Sequence, residues 1–201
     1  MGERAETRGR EEFGADGLAV REALRPHVAA CVVRHATADI ALSSGRMSDF
    51  YFDGRTVTLC SESLALVAEL ALREVLRLGA TAVGGPVIGA DPIVGATLAL
   101  AAARGVRLKG FLVRKEPKSR GLLKQVEGPR LAGERALLVE DTVTSGGSLL
   151  AAAEAVRREQ PGCELVGAFA LVDREEGGRE ALSAAGLALS AVFRKSEFAP
   201  E

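Results

Sequence analysis

A chain of 201 residues, 47% hydrophobic and 26% charged, has the size and composition of one globular domain with its own core. Its 26 basic and 27 acidic residues nearly cancel, which excludes the basic footprint of a non-specific nucleic-acid binder. The three cysteines (Cys31, Cys60, Cys163) are scattered, with no CxxC pair or nearby His, so a disulfide framework or zinc site is not expected and a reducing cytoplasm is. No apolar run reaches membrane-spanning length before charge or glycine breaks it.

Met1 to Gly17 is polar and charged with no apolar stretch of a secretory signal, and reads as a disordered leader. From Leu18 a single domain is expected. Leu18 to Ala38 has helical spacing of Leu, Val and Ala, with Pro26 marking a turn or kink. Ala41 to Leu59, with Gly45, Gly54 and aromatics at 50 to 52, predicts loops and short strands. Ser61 to Leu78 predicts a helix stopped by Gly79.

From there strands and helices alternate. "ATAVGG" is a strand; "DPIVGATLALAAARG" a helix with Asp91 as cap, Pro92 at its first position and Gly105 as its stop; "LKGFLV" a strand. A polar segment covers Arg114 to Arg130. "RALLVE" is a strand and "GGSLLAAAEAVRREQPG" a helix. "ELVGAFALVD" is a strand, "GGREALSAAG" a short helix and "LALSAVF" the last strand. Strands that are apolar throughout imply a parallel α/β sheet covered on both faces. Ligands of such sheets sit beyond the carboxyl ends of the strands, so the segments 84–92, 114–128 and 140–148 are where chemistry is sought.

Common nucleotide motifs are absent. Gly105 and Gly110 have Walker A spacing, but Phe111 stands where Lys is needed, and no GxGxxG follows a strand. The stretch "ALLVEDTVTSGGS" (Ala136 to Ser148) has another logic. A buried strand ends at Glu140 and Asp141, and Thr142, Val143, Thr144, Ser145, Gly146, Gly147 and Ser148 then lead into a helix. Free N–H groups, the helix dipole and the hydroxyls of Thr144, Ser145 and Ser148 suit a phosphate monoester. The two carboxylates would repel that phosphate but accept well from a vicinal diol. A ribose 5-phosphate satisfies both halves.

"VEDTVTSGGS" resembles the phosphoribosyl pyrophosphate (PRPP) motif of type I phosphoribosyltransferases. "VRKEPKSRGLLKQVEG" (Val113 to Gly128) resembles the mobile loop of the orotate phosphoribosyltransferase family. "SSGRMSDFYFDGR" (Ser43 to Arg55) is similar to that family's base-binding segment, and "LVDREEGG" (Leu171 to Gly178) to its DRxEG segment. The four occur in order and extend the resemblance over roughly residues 20 to 195.

The resemblance implies a parallel sheet with flanking helices and a small N-terminal hood, here about residues 18–60, over the base. It implies transfer of ribose phosphate from PRPP to orotate in pyrimidine synthesis, by a homodimer whose loop cations reach the neighbouring subunit. Lys118 becomes the catalytic loop lysine, with Asp141 beside the reacting sugar. Arg114, Lys115 and Arg120 join Lys118 on pyrophosphate, Glu140 and Asp141 hold ribose hydroxyls, and the loop from Thr142 to Ser148 holds the 5-phosphate. Tyr51, Phe52, Thr144 and Arg174 face the orotate. Mg2+ is expected to ride on PRPP and not in an all-protein cage. The chain departs from the pattern at Arg120, where the family carries His, at Ser43, where some members carry Lys, and at Leu122 and Leu123, where family loops have glycines. A paralogue acting on another base and a silent PRPP-sensing regulator are the alternative readings; an intact Lys118 and base pocket, with no basic helix-turn-helix, count against the regulator.

Overall fold

A computed structural model describes residues 2–34, 40–41, 47–48, 50–116 and 124–198. Helix α1 (Gly2–Ala30) opens the chain, followed by short strands β1 (Val32–Arg34), β2 (Ile40–Ala41), β3 (Met47–Ser48) and β4 (Phe50–Phe52). Helices α2 (Gly54–Thr58) and α3 (Ser61–Leu78) lead into the alternating part: β5 (Ala82–Pro86), α4 (Ala90–Ala103), β6 (Lys109–Val113), β7 (Val126–Glu127), β8 (Arg135–Val143), α5 (Gly147–Glu159), β9 (Glu164–Asp173), α6 (Gly178–Ala184) and β10 (Leu189–Arg194). A turn of 3-10 helix, Lys195–Glu197, follows.

Six strands form one sheet in the order β10-β9-β8-β5-β6-β7. All neighbours are parallel except β7, which pairs antiparallel with β6 at the edge. The α/β expectation holds, and its physical cause is visible in the alternation along each strand. On β8 and β9, Leu137, Val139, Phe169 and Leu171 point into a core shared with α1, α3 and α4, whereas Ala136, Leu138, Ala168 and Ala170 point into a second core with α5 and α6. Each fully buried Leu or Phe contributes roughly 1.5–3 kcal/mol. On the α5 side alanines (Ala152, Ala153 and Ala155 with Ala136, Ala168, Ala170 and Ala191) alternate with Leu138, Leu149 and Val156.

Several local expectations are revised. α1 takes in residues 2–17, read from sequence as a disordered leader; Glu, Arg and Ala there are good helix formers. It also runs through Pro26 to Ala30, with the buried Leu24 and Val28 on either side offsetting the hydrogen bond that proline removes. Asp91 is not the cap of α4: Gly89 holds that position and Asp91 lies in the first turn. β8 continues past the apolar run to Val143, because parallel pairing with β9 depends on the backbone and not on the side chains.

Candidate active site

The end of β8 carries the two acids into a narrow notch. Oδ2 of Asp141 lies where a Cβ built on Gly54, at the start of α2, would be 2.7 Å away. Its Oδ1 lies 2.8 Å from the corresponding point on Gly89, at the start of α4. Any side chain at either position would displace the carboxylate, and a Cβ on Gly89 would also come within 3.0 Å of the Glu140 Oε1. Gly54 and Gly89 thus hold backbone against the acid pair from two elements.

Burial pushes the Glu140 carboxyl up to about 9; the neighbouring Asp141 adds to the rise and the Lys115 ammonium opposes it. Burial also raises Asp141, against the Thr142 N–H and the Arg55 guanidinium, which favour its ionised form, while Asp53 adds to the rise. Two anions this close and this poorly hydrated disfavour one another, so Glu140 keeps its proton at neutral pH. A protonated carboxyl both donates and accepts, which suits it to a sugar hydroxyl.

Beyond the acids, Thr144 to Gly146 turn the chain into α5. Gly146 occupies the N-cap with φ 79°, a left-handed conformation that favours glycine, and no side chain caps the helix. The first N–H groups of α5 are therefore left for a ligand, and the helix dipole favours an anion there. The loop is braced from behind by α6: a Cβ on Gly178 would sit 2.6 Å from the Thr144 carbonyl oxygen and 3.0 Å from the Gly146 nitrogen.

Arg174 follows the end of β9, and its N–H donates to the Val143 carbonyl at 2.9 Å, which sets it beside the same loop. Its side chain is 5% exposed and its Nε is 3.2 Å from Glu176. The structure thus brings together Glu140, Asp141, Thr142, Val143, Thr144, Ser145, Gly146, Gly147, Ser148 and Arg174, with Lys115 close enough to act on Glu140. Arg114 and Lys115 are exposed at the end of β6. Phe52 is buried in the larger core, so its ring is committed to packing there. Tyr51 lies on β4 opposite Val33, its side chain outside the described residues, as are Lys118 and Arg120.

Among the described residues no group of three or more His, Cys, Asp or Glu could hold a metal ion. The acid pair offers two carboxyls, which fits an ion shared with a ligand's oxygens and not a protein cage. No helix of the described residues is long and apolar enough to cross a membrane.

The chain matches the phosphoribosyl transferase domain family over residues 94–184. It is 45% identical over 179 residues to the orotate phosphoribosyltransferase of Streptomyces avermitilis, an alignment covering 89% of this chain and 96% of that protein. This chain belongs to the orotate phosphoribosyltransferase family. Solved structures of the Mycobacterium tuberculosis orotate phosphoribosyltransferase agree. The complex with Fe(III) dicitrate matches with a TM-score of 0.75 at 36% identity over 90% of this chain and 99% of that one. The complex with PRPP matches with a TM-score of 0.71 at 34% identity over 89% and 98%. The resemblance on which the motifs were read is thereby the family to which the whole chain belongs.

Within this family frame, the sequence reading took in Gly54, Arg55 and Gly89 only as parts of the segments 43–55 and 84–92 and gave none of them a role at the acids. A signal was present: "FDGR" follows an aromatic strand and "VIGAD" follows β5, each placing glycine where a strand gives way to a helix. What sequence could not supply was that both reach Asp141.

Proposed function

We infer that this chain is an orotate phosphoribosyltransferase, which transfers the 5-phosphoribosyl group of PRPP to orotate and yields orotidine 5′-monophosphate and pyrophosphate in pyrimidine synthesis. In the reaction the bond from C1 of the ribose to the pyrophosphate oxygen breaks, a bond from C1 to the orotate nitrogen forms, and that nitrogen loses its proton. The observation that carries the reading is the division of one strand end into two chemistries: a half-buried acid pair, then the uncapped N-terminus of α5.

In this reading the 5-phosphate rests on Thr142 to Ser148, where helix N–H groups receive it. Glu140 and Asp141 accept from the ribose hydroxyls, and the Asp141 charge stabilises the cationic sugar of the transition state. Arg114 and Lys115 flank the pyrophosphate, whose negative charge grows as it leaves. Lys118 and Arg120 approach the same group from the loop, with Lys118 catalytic. Thr144 and Arg174 face the orotate together with Tyr51, while Phe52 supports that wall from the core; Arg174 is a fork-shaped donor suited to a carboxylate. Mg2+ bound through PRPP would neutralise pyrophosphate charge, with Glu140 and Asp141 beside it. The protein works in the cytoplasm as a homodimer, Lys115 serving the acids of its own chain and the loop tip reaching the neighbouring site. Residues 18–60 form the hood over the base, and 18–201 one domain.

A spectrophotometric assay with PRPP and Mg2+ against orotate, uracil and purines tests this. Consumption of orotate is expected. Orotate left unchanged while another base reacts would make the chain a paralogue for that base, and tight PRPP binding without turnover of any base would make it a sensor.

A further inference from the structure

The far end of α5 holds a side chain that no part of the mechanism above uses. Glu159, in the last turn, is turned toward the returning end of the basic segment. Its Oε2 accepts from the Gln125 N–H at 2.9 Å and the Val126 N–H at 3.0 Å, and its Oε1 from the Gln125 N–H at 3.2 Å. Arg158 donates to the same carboxylate at 2.8 Å. Burial alone would raise the Glu159 carboxyl, but the Val126 N–H, Arg158 and the Gln125 N–H together hold it below its ordinary value. It is therefore an ionised acceptor at neutral pH, and charge-assisted bonds of this kind are the stronger ones.

Gln125 carries the contact onward. Its Nε2 donates to the Arg114 carbonyl at 3.2 Å and the Lys115 carbonyl at 3.1 Å, while the Arg114 N–H donates to the Gln125 carbonyl at 3.0 Å. The backbone of Lys115 is thus fixed from α5 through two links. Its ammonium is the cation that acts on Glu140 at the other end of that helix. Edge strand β7 adds only two residues of pairing, Leu112 with Glu127 and Val113 with Val126, so the strand ladder alone holds this segment weakly.

We propose that Glu159 is a positioning residue for pyrophosphate recognition: through Gln125 it fixes Lys115 beside the acid pair. The proposal rests on the reading of the site given above, in which Lys115 meets the pyrophosphate of PRPP and the α5 N-terminus meets the 5-phosphate. A ligand with both groups feels the clamp, and one with the 5-phosphate alone does not.

Binding of PRPP and of ribose 5-phosphate, measured by calorimetry on the full chain, separates the two. Glu159→Ala should raise the Kd for PRPP about tenfold, the loss of one well-placed charge contact, and leave that for ribose 5-phosphate within about twofold. Glu159→Gln keeps an oxygen for the two N–H groups and should restore PRPP binding to within about threefold of the parent. Gln125→Ala cuts the second link while keeping the Glu159 carboxylate and its backbone donors, losing on α5 only the bond from Arg158 to the Gln125 side-chain oxygen, and should give the same split, which serves if Glu159→Ala does not fold. PRPP binding unchanged in Glu159→Ala, both ligands weakened equally, or Glu159→Gln as impaired as Glu159→Ala would each overturn the proposal. Lys115→Ala tells which premise failed. If it weakens PRPP while Glu159→Ala does not, only the clamp is wrong; if it has no effect, the role of Lys115 is wrong as well.

Discussion

Gly54 faces Asp141 so closely that a Cβ on the glycine would lie 2.7 Å from Oδ2 and 2.9 Å from the Asp141 Cβ. No left-handed backbone is involved at Gly54, so alanine there is not strained by its own conformation. Its whole effect falls on the acid. Gly54→Ala should cost about 1–3 kcal/mol through displacement of Asp141, read as a rise of about 5- to 150-fold in KM for PRPP. Steady-state kinetics check this, and an unchanged KM would remove the notch from the binding account.

The raised Glu140 gives stability a pH dependence whose sign follows from linkage. Its folded value of about 9 lies above the ordinary 4.5, so the native state holds the proton more tightly than the unfolded chain does. The advantage is complete below the ordinary value and is lost as pH climbs toward about 9. Glu140→Gln cannot ionise and escapes the loss. Its melting temperature should match the parent near pH 4 and exceed it near pH 8, by a margin that widens with each step in pH. Melting curves across that range that stay parallel would contradict it.

Stability should depend on Arg21, far from the chemistry. Its Nε donates to the Val192 carbonyl at 2.8 Å, its guanidinium pairs with Glu197, and it lies 4.6 Å from the centre of the Phe193 ring. The side chain is 3% exposed. Arg21→Met keeps the volume and loses the donors, leaving buried acceptors short of a partner at about 1–3 kcal/mol. A lowered melting temperature with unchanged kcat is expected, because the cluster joins α1 to β10 and touches no site residue.

Two loop substitutions address the catalytic step. Lys118→Ala should lower kcat about 10²–10³-fold while PRPP still binds. Arg120→His exchanges a fixed charge for a group able to give a proton near neutral pH. A rise in kcat would show that proton donation limits the natural chain; no rise would show that charge suffices there. Single-turnover measurements distinguish the two.

The legible parts of the fold were those in which one physical cause acts along a contiguous stretch. β9 spans 164–173 and α3 spans 61–78 as their apolar patterns predict, because burial alone decides them. Where two causes compete the reading slipped. Carboxylates at 140 and 141 looked like the end of β8, yet the ladder with β9 carries on to Val143 opposite Asp173. Asp91 has the chemistry of a cap, but the turn after β5 places Gly89 there. β7 is too short to leave a pattern, and α2 is five residues long. In the candidate site, the acids and the turn into α5 were legible as neighbours because they adjoin in sequence. Gly54, Gly89 and Glu159 were not, since their roles arise only where distant elements meet.

The alanine-lined bed of α5 gives that helix a use as a gauge. Its 13 residues span about 20 Å, with the phosphate loop at one end and the Glu159 carboxylate at the other. Leu149 and Val156 of the helix pack with Leu138 of the sheet among those alanines, which leaves it little room to slide or roll. One residue inserted between 147 and 159 would turn Glu159 by about 100° and carry it about 1.5 Å along the axis. In the function proposed above, the spacing between two parts of a single ligand is then set by a helix length, a property on which point substitutions have little purchase and insertions a great deal.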